Sequence, residues 1–460
     1  MVQEAYSVVE EQGSTKAVPT PAGVAGRPSR LSVVLGAPLY TGAFYLWANA
    51  AATAAAGFVS WALVARLYDA SDVGLGSAAV SALALLATFS HLGLGMGLIR
   101  FLPESGTRGP HLANAVFTAS AAAAVVLSAL FLVGVPLWAP RLDFLREQPL
   151  YAVAFISLVV AAALYMVQTY TFMAIRKAKY ILVQGICVNL SRLALPAVMA
   201  AFFGAFGVLA SAGLAWALGA VIGFALLAKG LPGYRPRGVA DPACVLRLLP
   251  FSVTNHLADS LLITPGLILP LVVVALLGST EAAHFYMAWF LGYLVTSTSA
   301  YLAMSLFAEG SRDPGALRVL SRNAVVGGLA VAAIGAAFLL LLGDKLLLTF
   351  GRDYADEGAT LLRIMALGAL PAAVVNVYLG ALRVTARIGE LVIIAGVVGI
   401  TTVALSSALL PVMGLAGAGV GHGLGQGLGL SIVLSRLLTT VEGTIPQKMR
   451  WLLVTPPRRS

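Results

Sequence analysis

Charge is what this chain has least of. Asp, Glu, Lys and Arg make up 10% of its 460 residues, whereas soluble globular domains carry roughly 25%. So few charges cannot cover a wetted surface, and a mean hydropathy of +0.92 makes lipid the expected solvent. Cysteine is nearly absent as well. Cys187 in an apolar run and Cys244 in a loop supply neither a disulfide framework nor a metal site. The chain has no GxxxxGKS/T phosphate loop, which excludes ATP hydrolysis by this chain. It also lacks zinc-ligand spacing and a nucleophile motif. A membrane glycosyltransferase or polymerase would need a large aqueous loop for its catalytic groups. The largest loop on the charge-poor side, near 343–357, is short, so no enzyme is expected. The formal charge of +10 does not signal nucleic acid, because Lys and Arg sit in short clusters between apolar runs.

What the chain has instead is long apolar runs. A membrane span needs about 20 such residues. Twelve runs qualify, near 40–66, 73–99, 112–138, 150–175, 180–203, 206–228, 251–277, 282–308, 320–342, 358–382, 388–410 and 413–436. Of the 29 Lys and Arg residues, 22 fall on one set of alternate connections and six on the other, with Arg192 alone inside a span. Positive charge favours the cytoplasmic side, so both termini are expected there, in a multi-pass protein of the cytoplasmic membrane. Residues 1–38 are polar, rich in Pro, Gly and Ser, and lack the pattern of a cleaved signal peptide; they read as a disordered tail. Residues 439–460 read as a second tail, with "QKMRWLLV" at the membrane interface.

The longest connection, 229–250, divides the spans six and six, into 39–228 and 251–438. The halves align weakly with each other. Asp72 falls over Glu281, Arg176 over Arg383, and "FGVLASAG" from 206 over "MGLAGAGV" from 413. Six spans per half make the repeats parallel, which predicts an axis along the membrane normal and a site between two lobes that alternate in access.

Several stretches carry a family likeness. "LLLTFGRDYADEGATLLRIMALG" (346–368), "LGLGMGLIRFLPE" (92–104), "NHLADSLLI" (255–263) and "GLAGAGVG" (414–421) resemble, in order and spacing, segments of Wzx-type oligosaccharide and polysaccharide flippases. These belong to the superfamily of MATE-type multidrug exporters and lipid II flippases. The likeness covers about 40–438. It implies an all-α membrane fold of twelve transmembrane helices in two six-helix lobes, MATE/MOP-like. It also implies movement of undecaprenyl-diphosphate-linked oligosaccharide from inner to outer leaflet for polysaccharide biosynthesis, beside glycosyltransferases and a polysaccharide polymerase as partners. A MATE-type cation exporter and a lipid II flippase are the rival readings.

Polar residues inside spans nominate the site. Arg192 in "VNLSRLALPAVM" would lie about 18 Å deep, near the middle of the bilayer core. Either it has a buried partner or it faces a cavity and holds a diphosphate, for which a planar guanidinium fork is suited. Asn255, His256 and Asp259 fall within one turn of the seventh span. His256 with Asp259 is the candidate for proton or sodium coupling; the bland reading pairs Asp259 with Arg192 or another cation. Asn49 in the first span is a sugar-binding or a packing amide. Arg100 at the inner boundary meets lipid phosphate or incoming substrate, or serves orientation alone. His91 reads as a core histidine. No metal and no cofactor are expected, the drive being a proton, a sodium ion or the membrane potential.

Overall fold

The computed structural model describes residues 38–441, so the two tails lie outside the described residues. Fourteen α-helices run in order: α1 (Pro38–Leu67), α2 (Ala70–Ser90), α3 (Leu94–Phe101), α4 (Gly109–Trp138), α5 (Phe144–Glu147), α6 (Pro149–Ala174) and α7 (Ala178–Ala200). There follow α8 (Gly204–Gly230), α9 (Pro242–Leu276), α10 (Ser279–Arg312), α11 (Leu317–Leu348), α12 (Arg352–Val384), α13 (Ile388–Met413) and α14 (Leu415–Val441). All but α3 and α5 have 21 residues or more. Among the described residues eleven helices are long and apolar enough to cross a membrane. The remaining long helix, α14, falls short because glycines, His422 and Gln426 dilute its apolar residues. Large apolar side chains such as Val133, Leu341 and Ile400 point outward, as lipid requires. Backbone groups in lipid must be paired within their own segment, which is why helices alone span it here.

The two halves of the chain repeat in structure. Acidic Asp72 and Glu281 occupy the first turns of α2 and α10. Arg176 and Ala386 each adopt a left-handed φ, 57° and 56°, after α6 and α12. The bonds closing those turns also match, Lys177 N to Phe172 O and Arg387 N to Leu382 O, each 2.9 Å. Arg176 therefore corresponds to Ala386 and not to Arg383, and α8 and α14 are shifted in the same direction relative to the sequence alignment. The slip is about one helical turn, and it arises because Ala- and Gly-rich helices keep the same apolar face when moved by a turn.

Two boundaries depart from the reading of apolar runs. The second span, expected as one piece, breaks at His91–Gly93, where Leu92 and Gly93 take φ of 50° and 70° and Gly93 N donates to His91 Nδ1 at 3.2 Å. The link between halves is shorter than 229–250, because Pro242 starts α9 early. Proline is suited to a helix's first position, and Asp241 Oδ1 accepts from Cys244 N at 2.9 Å as a cap. His111 Nε2, 2.9 Å from the other Asp241 oxygen, and that cap bond hold the Asp241 carboxyl below its usual range.

The halves touch at both ends of the bundle. At the charge-poor end one hydrophobic core joins them, with Trp61 against Tyr286 at 4.5 Å and Phe58 against Phe350 at 5.4 Å. There Arg66 of α1 donates to the last carbonyls of α11, at Thr349 (3.0 Å) and Leu348 (3.1 Å), which a helix leaves unpaired and negative. At the basic end Gly93 lies against the Ser252 backbone and His256 of α9. Gly93→Val should therefore cost ~1–3 kcal/mol of backbone strain besides the collision, read as a lower unfolding temperature in micelles. Gly106→Ala, also at positive φ but in open space, should cost less.

Candidate functional site

Pro196 determines how Arg192 is built into α7. A proline has no N–H for the carbonyl four residues earlier, so the Arg192 carbonyl is released from the helix ladder. Ser60 of α1 donates to that carbonyl at 2.9 Å, and Tyr68 Oη donates to the Pro196 carbonyl at 2.9 Å. These bonds tie α1 to α7 beside the guanidinium. The guanidinium lies 5.7 Å from the ring of Trp216 on α8, within cation–π range. Tyr165 of α6 and Tyr286 of α10 are its electrostatic neighbours. Among the described residues no carboxylate makes a salt bridge with Arg192. It is half-buried and sits where helices of both halves meet.

Asn49 is half-buried on α1 and packs against Gly185 of α7; its Oδ1 is buried without a hydrogen-bond partner. Thr53 and Asn189, 3.2 Å apart, continue the same α1–α7 contact. Arg100 is exposed on α3, with its guanidinium 5.5 Å from the Phe101 ring. The side chain of Asn255 lies outside the described residues.

His256 and Asp259 diverge. The His256 ring stands 4.4 Å from that of His91 across the two halves and contacts Ser260 Oγ at 3.1 Å. Asp259 instead pairs with Arg383 of α12, so its cation is neither His256 nor Arg192. In the sequence Arg383 falls just past the run 358–382, among the loop charges; the structure puts it in the last turn of α12. The available signal was its place inside the last turn of a span, but the sequence offered no way to see the acid 124 residues away. The pair borders a cavity of about 550 Å³ between α9, α10, α12, α13 and α14, to which α6 adds Tyr170. Among the described residues the structure thus separates Arg192, a cation with no carboxylate partner, from a neutralised pair, Asp259–Arg383.

The Ser60 bond can be tested by a double-mutant cycle. Ser60→Ala should cost ~1–3 kcal/mol by stranding a buried carbonyl. In a Pro196→Ala background, which restores the helix's own donor, the cost should fall below about 0.5 kcal/mol. Reversible unfolding in mixed micelles measures both.

The chain matches the family model described as "Polysaccharide biosynthesis protein" over residues 39–307. No curated protein is significantly similar in sequence. Solved structures are similar in fold at low identity. An inward-facing MATE family multidrug resistance transporter of the MOP superfamily is 13% identical, with 85% of this chain and 96% of that one covered and a TM-score of 0.68. The lipid II flippase MurJ in an inward closed conformation is 10% identical, with 89% and 95% covered and a TM-score of 0.67. A MOP superfamily transporter from Pyrococcus furiosus is 12% identical, with 91% and 100% covered and a TM-score of 0.56. The fold is the all-helical membrane fold of MATE/MOP transporters, and the chain belongs to the polysaccharide biosynthesis protein family, that of the Wzx-type flippases.

Proposed function

We propose that the protein moves a polyprenyl-diphosphate-linked oligosaccharide from the inner to the outer leaflet of the cytoplasmic membrane by alternating access, with its basic end in the cytoplasm. The observation that carries this reading is Arg192, a mid-span guanidinium that makes no salt bridge among the described residues. A charge at that depth costs at least ~2.5–3.5 kcal/mol on insertion scales. An anionic ligand recovers that cost, and a diphosphate matches the guanidinium fork with charge-assisted bonds. The chain makes and breaks no covalent bond in this task. It shelters the polar headgroup while the prenyl tail stays in lipid.

A MATE-type cation exporter fits less well. Such a protein would want free carboxylates facing its cavity, whereas Asp259 at the edge of the 550 Å³ cavity is neutralised by Arg383. The same pair suggests a trigger. Arriving diphosphate competes with Asp259 for Arg383 and frees the carboxylate, which can then take up a proton or sodium ion. Outward movement of negative charge also gains ~2.3 kcal/mol per charge per 100 mV, so membrane potential contributes without an ion. Arg100, exposed near the basic end, suits a first encounter with lipid phosphate, and Asn49 and Asn255 remain candidates for sugar hydroxyls. Glycosyltransferases that build the lipid-linked sugar and a polymerase that extends it are the partners this role requires.

The test is flipping of a prenyl-diphosphate-linked sugar in reconstituted vesicles. Arg192→Ala should slow it tenfold to hundredfold, the effect of losing ~1.5–3 kcal/mol of charged hydrogen bonding, and Arg192→Lys should restore part. Native rates in folded Arg192→Ala protein would remove the reading's main support.

A further inference from the structure

The cavity beside Asp259–Arg383 has a lining that neither a cation nor an isolated anion suits. Its volume of about 550 Å³ falls within the ~300–1,000 Å³ of small-molecule sites. The charges at its edge cancel each other in the Asp259–Arg383 pair. The rest of the wall sets neutral polar groups and aromatic rings among a larger share of aliphatic side chains such as Leu262, Ile263, Met304 and Leu379. Asn376 lines the cavity while donating to Ser299 Oγ at 2.9 Å. Gln426 lines it with no side-chain hydrogen bond among the described residues. Thr402 Oγ1 and His422 Nε2 are buried without partners, in residues 1% and 6% exposed. Trp289 stands edge-on to His422 at 5.3 Å, and Tyr293, also in the wall, is 40% exposed.

A hydrocarbon occupant would leave the Gln426 amide and the Asn376 amide oxygen unpaired, at a cost for each. The chemistry that satisfies both kinds of wall is a neutral ring with hydroxyls on its edge and C–H groups on its faces. Hydroxyls can donate to and accept from amide, hydroxyl and imidazole groups, and C–H faces pack on aromatic rings. We propose that this cavity is a sugar subsite. It takes the first sugars of the lipid-linked headgroup, with Gln426 and Asn376 reading hydroxyls and Trp289 and Tyr293 lining the ring face. The inference rests on the diphosphate reading above, at the step where the diphosphate displaces Asp259 from Arg383, and deepens it, because the first sugar is joined directly to the diphosphate. A subsite for it must therefore adjoin a cation, and Arg383 lies at the cavity's edge. When the diphosphate engages Arg383, the released Asp259 carboxylate becomes a further acceptor for sugar hydroxyls.

The experiment measures binding by the full-length protein in nanodiscs free of sugar detergent. The probes are farnesyl diphosphate and farnesyl diphosphate bearing glucose, galactose or N-acetylglucosamine. The native protein should bind at least one sugar-bearing lipid about tenfold more tightly than the sugar-free one, as two or three net hydrogen bonds would give. Gln426→Leu and Asn376→Leu should reduce that preference to about twofold or less while moving farnesyl diphosphate affinity by less than about twofold. Arg383→Gln should weaken both classes. If either leucine variant does not fold, Tyr293→Leu on the exposed wall takes its place. Equal binding of both lipids by the native protein, or variants that weaken both equally, overturns the sugar subsite and leaves the diphosphate reading standing. Binding of neither lipid defeats that reading and the subsite with it.

Discussion

A membrane interior offers no water, so every polar group held there needs a partner in the protein or in its cargo. Most of this molecule obeys that constraint from within. Gln184 donates to Gln168 Oε1 at 2.7 Å and to the Gly219 carbonyl at 2.9 Å, and Gln168 donates to Ala220. The carbonyl freed by Pro196 is taken by Ser60, and Asp259 is taken by Arg383. Among the described residues Asn49 Oδ1, Thr402 Oγ1 and His422 Nε2 stay unpaired, and Arg192 is a charged exception. Its guanidinium has rings and tyrosine hydroxyls around it but no acid among the described residues. On the proposed reading, transport draws on the same physics as folding, the cargo completing what the protein leaves open.

The two halves share one plan and use it differently. Helix α10 runs unbroken for 34 residues, whereas its counterpart breaks into α2 and α3 at His91–Gly93. The break places a close backbone contact and a pair of imidazoles at the junction between halves. The last helix shows the opposite economy. Gly417, Gly421, Gly425 and Gly429 let α14 lie against the backbone and side chains of α13, so a helix too polar by hydropathy still packs, through closeness that small residues allow.

Much of this was legible in the sequence. The helical membrane class follows from composition, which is local, and eleven of the twelve apolar runs coincide with helices long and apolar enough to cross a membrane among the described residues. Arg192 stood out as one cation in an apolar run, and Pro196 four residues later already implied a stranded carbonyl. Its partner did not stand out, since Ser60 is one of many small polar residues and lies 132 positions away. Asp259 and His256 share a helical turn, yet they meet different neighbours, Arg383 of α12 for one and His91 at the end of α2 for the other. Arg383 was hidden by its position, where a cation equally marks the end of a span. The repeat was visible but its register was not, since a run of alanines and glycines carries no landmark finer than a turn.

On the proposed reading the cargo's phosphate, not a residue of the protein, is the partner of Arg192. Solid-state NMR can test it with guanidino-¹⁵N arginine in the protein and ³¹P in a prenyl-diphosphate-linked sugar, reading their dipolar coupling in lipid. The account predicts a nitrogen–phosphorus distance within about 4 Å, as a charge-assisted contact requires, and loss of that coupling in Arg192→Lys. A bound cargo that shows no coupling lost with Arg192 would contradict it.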